Sequence, residues 1–285
     1  MCYRIPQHRS IFNFVIIFIM RFLSYFHDPD DLFYKILTET PIPAELKGSI
    51  VAVTPETTIK IYELVRNLGF RIVEGGPYGY GRIVSLKESI KDSNSEYFFV
   101  CDFDKMLHWL RTDPEEFKRI LESKPRSDLT VISRSPKALE TYPKAWTETE
   151  HIASKILEKI IGKYVDLMNG PYILNRKAAE IITANSVETG VGSCAEWCIL
   201  ASQARLNIGV INVDGLTWED PDRYTSSISK YHNFEEWKDI TFDSLYEWRK
   251  RVEFLHKQVE VMIRLNEEPV NPKYPDVKNK ILEDV

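Results

Sequence analysis

Two aspartates two residues apart, Asp102-Phe103-Asp104, follow the apolar run Tyr97–Cys101. That run reads as a buried strand. Paired carboxylates at the end of such a strand can hold a hard divalent cation, Mg²⁺ or Mn²⁺, whose other ligands are substrate phosphates and water. Aspartate is also a common turn former and helix cap, so the pair alone leaves both uses open. Upstream, the stretch Gly75-Gly76-Pro77-Tyr78-Gly79-Tyr80-Gly81-Arg82 holds four of the chain's 12 glycines. Glycine lets a backbone approach a phosphate closely. A turn feeding a helix N-terminus favours anions, and Arg82 adds a fixed positive charge suited to a diphosphate. The spacing matches neither the P-loop nor the dinucleotide-binding pattern. A plain surface turn is the competing reading.

Three further groups could do chemistry. Glu196-Trp197 follows the glycine-bearing stretch Thr189–Gly192 at a helix start. Its carboxylate suits a general base, or equally a helix cap or solvated residue. The stretch Trp218–Tyr224 mixes an indole, carboxylates and Arg223, which suits a sugar or simply a charged loop. His108-Trp109 either borders a site or packs in the core.

Composition narrows the class. The chain has 285 residues, 44% hydrophobic and 28% charged. That is the make-up of a globular protein with a sizeable core. A net charge of −5 argues against a nucleic-acid binder. The four cysteines, with Cys194 and Cys198 at helical spacing, suggest no disulfide framework and so a reducing, cytoplasmic setting.

The elements that must position these residues alternate. Strands are expected at Phe14–Met20, Ile50–Val53, Arg71–Val73, Tyr97–Cys101 and Leu129–Ser133. Helices are expected at 28–38, 55–68, 83–90 and 114–123. Alternation of this kind predicts an α/β fold with a mostly parallel sheet flanked by helices. Ligands of such sheets bind outside the carboxyl ends of the strands. Those ends bring forward Arg21, Thr54 and Glu56 beside Asp102 as donor contacts. The second half reads as helices at 147–161, 176–184, 194–206 and 235–265, with Thr147 and Glu150 as a capping box, and strands at 165–174 and 208–213. Residues 1–13 read as an extension, 14–265 as one domain and 266–285 as a tail. The apolar run 14–20 is too short to span a membrane and no cleavage site follows it. It reads as a buried strand, with peripheral attachment to a membrane surface as the alternative.

The order of parts resembles glycosyltransferases of the GT-A fold, most like the family 2 group. The resemblance is carried by Gly79-Tyr80-Gly81-Arg82 before a helix, then Val100-Cys101-Asp102-Phe103-Asp104, over roughly residues 14–225. It implies a nucleotide-binding half, 14–136, and an acceptor half, 137–265. It implies a hexosyltransferase-type activity moving a sugar from a nucleotide-diphosphate sugar to a hydroxyl acceptor. Asp102 and Asp104 would hold Mg²⁺ or Mn²⁺; Gly79, Gly81, Arg82 and Asp102 would meet the donor; Glu196 is the nearest match to the acceptor-side acid. The family's paired aspartates after the second strand are replaced by Val53-Thr54-Pro55-Glu56. A nucleotidyltransferase and a non-catalytic nucleotide-sugar-binding protein are the alternatives.

Overall fold

The computed structural model describes residues 20–92 and 94–270. Among these, β1 (Arg21–Phe26), β2 (Ile50–Val53), β3 (Arg71–Glu74), β4 (Tyr97–Val100), β5 (Leu129–Arg134), β6 (Tyr172–Asn175) and β7 (Ile208–Val213) form a seven-stranded sheet. The strand order is β3-β2-β1-β4-β6-β5-β7. β3, β2, β1 and β4 are mutually parallel. β6 runs antiparallel to both β4 and β5, and β7 runs parallel to β5. Six carboxyl ends therefore open on one edge of the sheet, as the α/β reading requires.

Both faces of β2, β4 and β5 are buried, which explains their continuous apolar runs. Side chains alternate between the two faces. Leu23, Phe98, Val100, Val131 and Tyr172 join one core, against helices that include Tyr78–Asp92, Lys144–Ile161 and Ser193–Gln203. Phe22, Val51, Val53, Phe99, Ile132 and Ile173 join the other, against Ile59–Asn67, Phe103–Thr112 and Pro114–Leu121. Phe22, Phe99 and Phe117 interlock edge-on or tilted at 5.6–6.3 Å. Each such fully buried side chain contributes about 1.5–3 kcal/mol.

Several expected boundaries shift. The first described strand is Arg21–Phe26; the expected strand at 14–20 lies outside the described residues except for Met20, which is buried. Asp28 does cap a turn, accepting from the amides of Leu32 and Phe33 at 2.9 Å each, but the helix it introduces is the short Tyr34–Glu39. The glycine-rich stretch is helical from Tyr78 onward. A helix not anticipated, Phe103–Thr112, starts directly after Asp102. Lys144–Ile161 begins three residues before Thr147, so the capping box does not form. The C-terminal helix divides into Phe234–Phe242 and Leu245–Glu267, the second capped by Ser244. No described helix is long and apolar enough to cross a membrane.

Candidate active site

β4 ends at Val100, and the chain turns through Asp102 into the helix Phe103–Thr112. The turn is anchored by Phe103, fully buried between the rings of Phe26 at 4.8 Å and Phe70 at 5.1 Å. Asp102 occupies the N-cap position, yet its side chain accepts nothing from the helix amides. The cap reading therefore fails for this residue, and its carboxylate is turned elsewhere. Oδ2 accepts from the Tyr78 hydroxyl at 3.1 Å. Oδ1 lies 3.9 Å from Arg82 Nε and is buried without a hydrogen-bond partner. Asp104 lies 3.8 Å from the Arg223 guanidinium. Burial first, and then the nearby Glu219 and Asp102 charges, push its carboxyl up to about 6 against the pull of Arg223.

Two cavities meet at Asp102 and Tyr78. One, about 210 Å³, is walled by Tyr25, His27, Asp102, Asp104 and Arg223 at the ends of β1 and β4. The other, about 150 Å³, lies among Lys105, Arg134, Tyr142, Glu150, Glu219 and Arg251. Its charges are matched. Lys105 Nζ donates to Glu219 at 2.9 Å, and the Tyr142 hydroxyl donates to the other Glu219 oxygen at 3.1 Å. Burial opposes ionisation of Glu219, but the Lys105 charge and hydrogen bond outweigh it and hold the carboxyl at about 2. Arg134 binds Asp166 at 2.7 Å and Glu150 at 2.6 Å. Arg251 stacks 3.2 Å above the Trp146 ring.

The residues suggested by the sequence divide. Asp102 and Asp104 stand together on the first of these cavities. Thr54 lies just behind it, its hydroxyl 2.8 Å from His27 Nδ1, while Glu56 is exposed at the rim. Arg21 is corrected by the register of β1: it pairs with Phe98 at the amino end of the sheet and donates to the Gly48 carbonyl at 2.5 Å, remote from the strand ends. Arg82 is 1% exposed, held among the rings of Tyr78, Tyr172 and Trp197 at 5.0–5.2 Å. It donates to the Gly170 carbonyl and to the Tyr78 hydroxyl. It thus props the Asp102–Tyr78 pair from behind instead of facing the cavity.

Gly79 and Gly81 serve close packing. A Cβ on Gly79 would stand 2.7 Å from the Gly190 carbonyl and 2.8 Å from that of Glu188; one on Gly81 would strike the Tyr25 ring. The amides of Gly79 and Tyr80 are already bonded to the Thr189 carbonyl, at 2.8 and 3.3 Å. The first turn of this helix therefore does not offer them to an anion.

Glu196 is 1% exposed and borders neither cavity. Its carboxylate accepts from the Ser186 hydroxyl and from the amides of Val187 at 2.9 Å and Glu188 at 3.2–3.3 Å. That geometry clamps the loop before its helix. His108 also faces away, bridging Thr217 at 2.6 Å and Asp222 at 2.8 Å. Trp109 is core. Sequence reasoning missed Tyr25, His27, Tyr78, Lys105 and Tyr142. Placing β1 correctly would have brought His27 forward as its strand end.

Asp102 and Asp104 fit a hard cation. A buried carboxylate oxygen without a hydrogen-bond partner, and a second carboxylate crowded by the Glu219 and Asp102 charges, are what such an ion satisfies. No cluster of three or more His, Cys, Asp or Glu ligands exists among the described residues. The rest of the coordination shell would fall to ligand phosphates and water.

No family model matches the chain, and no curated protein matches it in sequence. Solved structures do. One of glucosyl-3-phosphoglycerate synthase from Mycobacterium tuberculosis, in complex with Mn²⁺, UDP-glucose and phosphoglyceric acid, aligns at 13% identity with a TM-score of 0.56, covering 88% of this chain and 81% of that one. A second structure of that enzyme, with Mn²⁺, UDP-glucose and glycerol 3-phosphate, aligns at 12% identity and a TM-score of 0.52 over 88% and 81%. A third aligns at 14% and 0.52 over 88% and 82%. With the strand order and the single reversed strand, these matches establish that the chain has the GT-A fold.

Proposed function

We propose that this protein is a metal-dependent glycosyltransferase that takes a sugar from a nucleotide-diphosphate sugar and passes it to a hydroxyl acceptor. The observation that carries the reading is the Asp102–Asp104 pair on one cavity at the carboxyl end of β4, with a buried Asp102 oxygen that has no hydrogen-bond partner. The neighbours of the same fold that are named with Mn²⁺ and UDP-glucose support it. Residues 14–136 form the donor half in this reading, and 137–265 the acceptor half.

The nucleotide lies in the cavity beside Tyr25 and His27, its diphosphate toward Asp102 and Asp104. A Mg²⁺ or Mn²⁺ ion held by these carboxylates, when bound, offsets the charge that develops on the leaving nucleoside diphosphate. Tyr78 and Arg82 fix the Asp102 carboxylate so that it does not reorganise during the reaction. The sugar enters the second cavity, which Lys105, Tyr142, Trp146 and Glu219 help to line. Glu196 keeps its place as the clamp of loop 186–188.

The test is incubation with UDP-, GDP- and other nucleotide sugars, with and without Mn²⁺. Release of free nucleoside diphosphate only with metal is the expected result. Release of pyrophosphate instead identifies a nucleotidyltransferase, and binding without any product identifies a binding protein.

A further inference from the structure

A donor diphosphate brings more negative charge into a cavity that already holds two carboxylates. Some side chain must answer it besides the metal. Arg82 does not, because its guanidinium is enclosed behind Asp102. Lys105 does not, because it is spent on Glu219 at 2.9 Å. Among the described residues that line this cavity, Arg223 is the one Lys or Arg side chain, beside Tyr25, His27 and Asp104. One of its amino groups is engaged by Asp220 and stands 3.8 Å from Asp104. Its Nε–H is buried and has no hydrogen-bond partner. The Nε–H groups of Arg21 and Arg82 share that state, so what singles out Arg223 is its place on the cavity wall beside Asp104.

The position of Arg223 is built into the fold. The loop after β7 that carries it is tied to the helix bearing Asp104. Thr217 meets His108 at 2.6 Å, and Asp222 meets both His108 at 2.8 Å and Arg111 at 3.0 Å. Arg223 and Asp104 are therefore held as one unit facing the same space.

We propose that the Arg223 guanidinium is a diphosphate-binding group of this protein and donates to the phosphate that carries the sugar. The assignment rests on the nucleotide-sugar reading of the cavity. A guanidinium gives phosphate oxygens a planar, permanently charged set of donors, which a lysine ammonium matches only in charge. It stays with the leaving group as the sugar departs.

The experiment compares UDP with UMP, in Mn²⁺ by titration calorimetry, on the full chain and its Arg223→Ala and Arg223→Lys variants; GDP and GMP replace them if the wild type prefers guanine. Arg223→Ala is expected to weaken nucleoside diphosphate binding by roughly 10–100-fold, the loss of a charge-assisted hydrogen bond. Monophosphate affinity should stay within about threefold, a smaller change than one such bond. Arg223→Lys should recover part of the difference. Unchanged diphosphate affinity in Arg223→Ala, or an equal loss for both nucleotides, overturns the assignment. A wild type that binds no nucleoside diphosphate at all overturns the reading of the cavity, and the assignment with it.

Discussion

Glu196→Gln separates the two roles open to this residue. The carboxylate accepts from the Ser186 hydroxyl and from the Val187 and Glu188 amides. Hydrogen bonds to a charged group contribute about 1.5–3 kcal/mol each. Glutamine keeps one acceptor oxygen but turns an NH₂ toward a donor, so at least one bond is lost and one N–H is left buried. The expected cost is about 2–4 kcal/mol. In a protein of this size that lowers the melting temperature by roughly 3–7 °C. Transfer per folded molecule should change little, because Glu196 borders neither cavity. A general base behaves in the opposite way: its loss costs roughly 10²–10⁴-fold in rate and leaves the melting temperature nearly alone. Scanning calorimetry and nucleoside diphosphate release, measured on the same preparation, decide the matter. An unshifted melting temperature with turnover reduced a hundredfold or more refutes the clamp.

Arg82→Ala should destabilise the whole chain by about 3–5 kcal/mol in urea unfolding, since it removes the countercharge of Asp102 and the donor to the Gly170 carbonyl. A selective loss of diphosphate affinity at unchanged stability contradicts that placement. Gly81→Ala drives a methyl group into the Tyr25 ring; about 1–3 kcal/mol of stability should go, with nucleotide affinity falling as Tyr25 shifts. A variant that binds and melts like wild type would rule out the contact. In the presence of a chelator, Asp104 binds its proton more tightly when folded, at about 6, than at its ordinary value of 3.8. The native state then holds more protons than the unfolded one between those values, so stability falls as pH rises through that window. Asp104→Asn lacks this slope and should melt above wild type at neutral pH without metal. Parallel pH profiles for the two proteins would show that Asp104 carries no such burial cost.

Much of the sheet is legible in the sequence because buried parallel strands read as continuous apolar runs. Ile50–Val53, Tyr97–Val100 and Leu129–Arg134 emerge that way. β1 does not, because Arg21-Phe-Leu-Ser-Tyr-Phe26 is more polar than the run just upstream, which draws the assignment to itself. The paired aspartates are legible because what places them is local: a strand, a buried Phe103 and a helix start. What places Arg82 is not local. Its enclosure depends on Tyr172 and Trp197, from elements far along the chain. Lys105 and Glu219 pair across 114 residues. No spacing rule joins them. The glycines mislead for the same reason, since the close approach they permit is to Tyr25 and the loop 188–190 and not to a phosphate.

The central claim is that Asp102 and Asp104 hold a metal together with the donor diphosphate. Calorimetric titration of UDP and GDP, with Mn²⁺ and with chelator, into wild type, Asp102→Asn and Asp104→Asn tests it most directly. The wild type should bind one nucleotide strongly only with Mn²⁺. Either substitution should cut that metal-dependent affinity roughly 10–100-fold, as expected for loss of a charged ligand, with the protein still folded. Variants that bind as tightly as wild type, with the same response to Mn²⁺, would contradict the account.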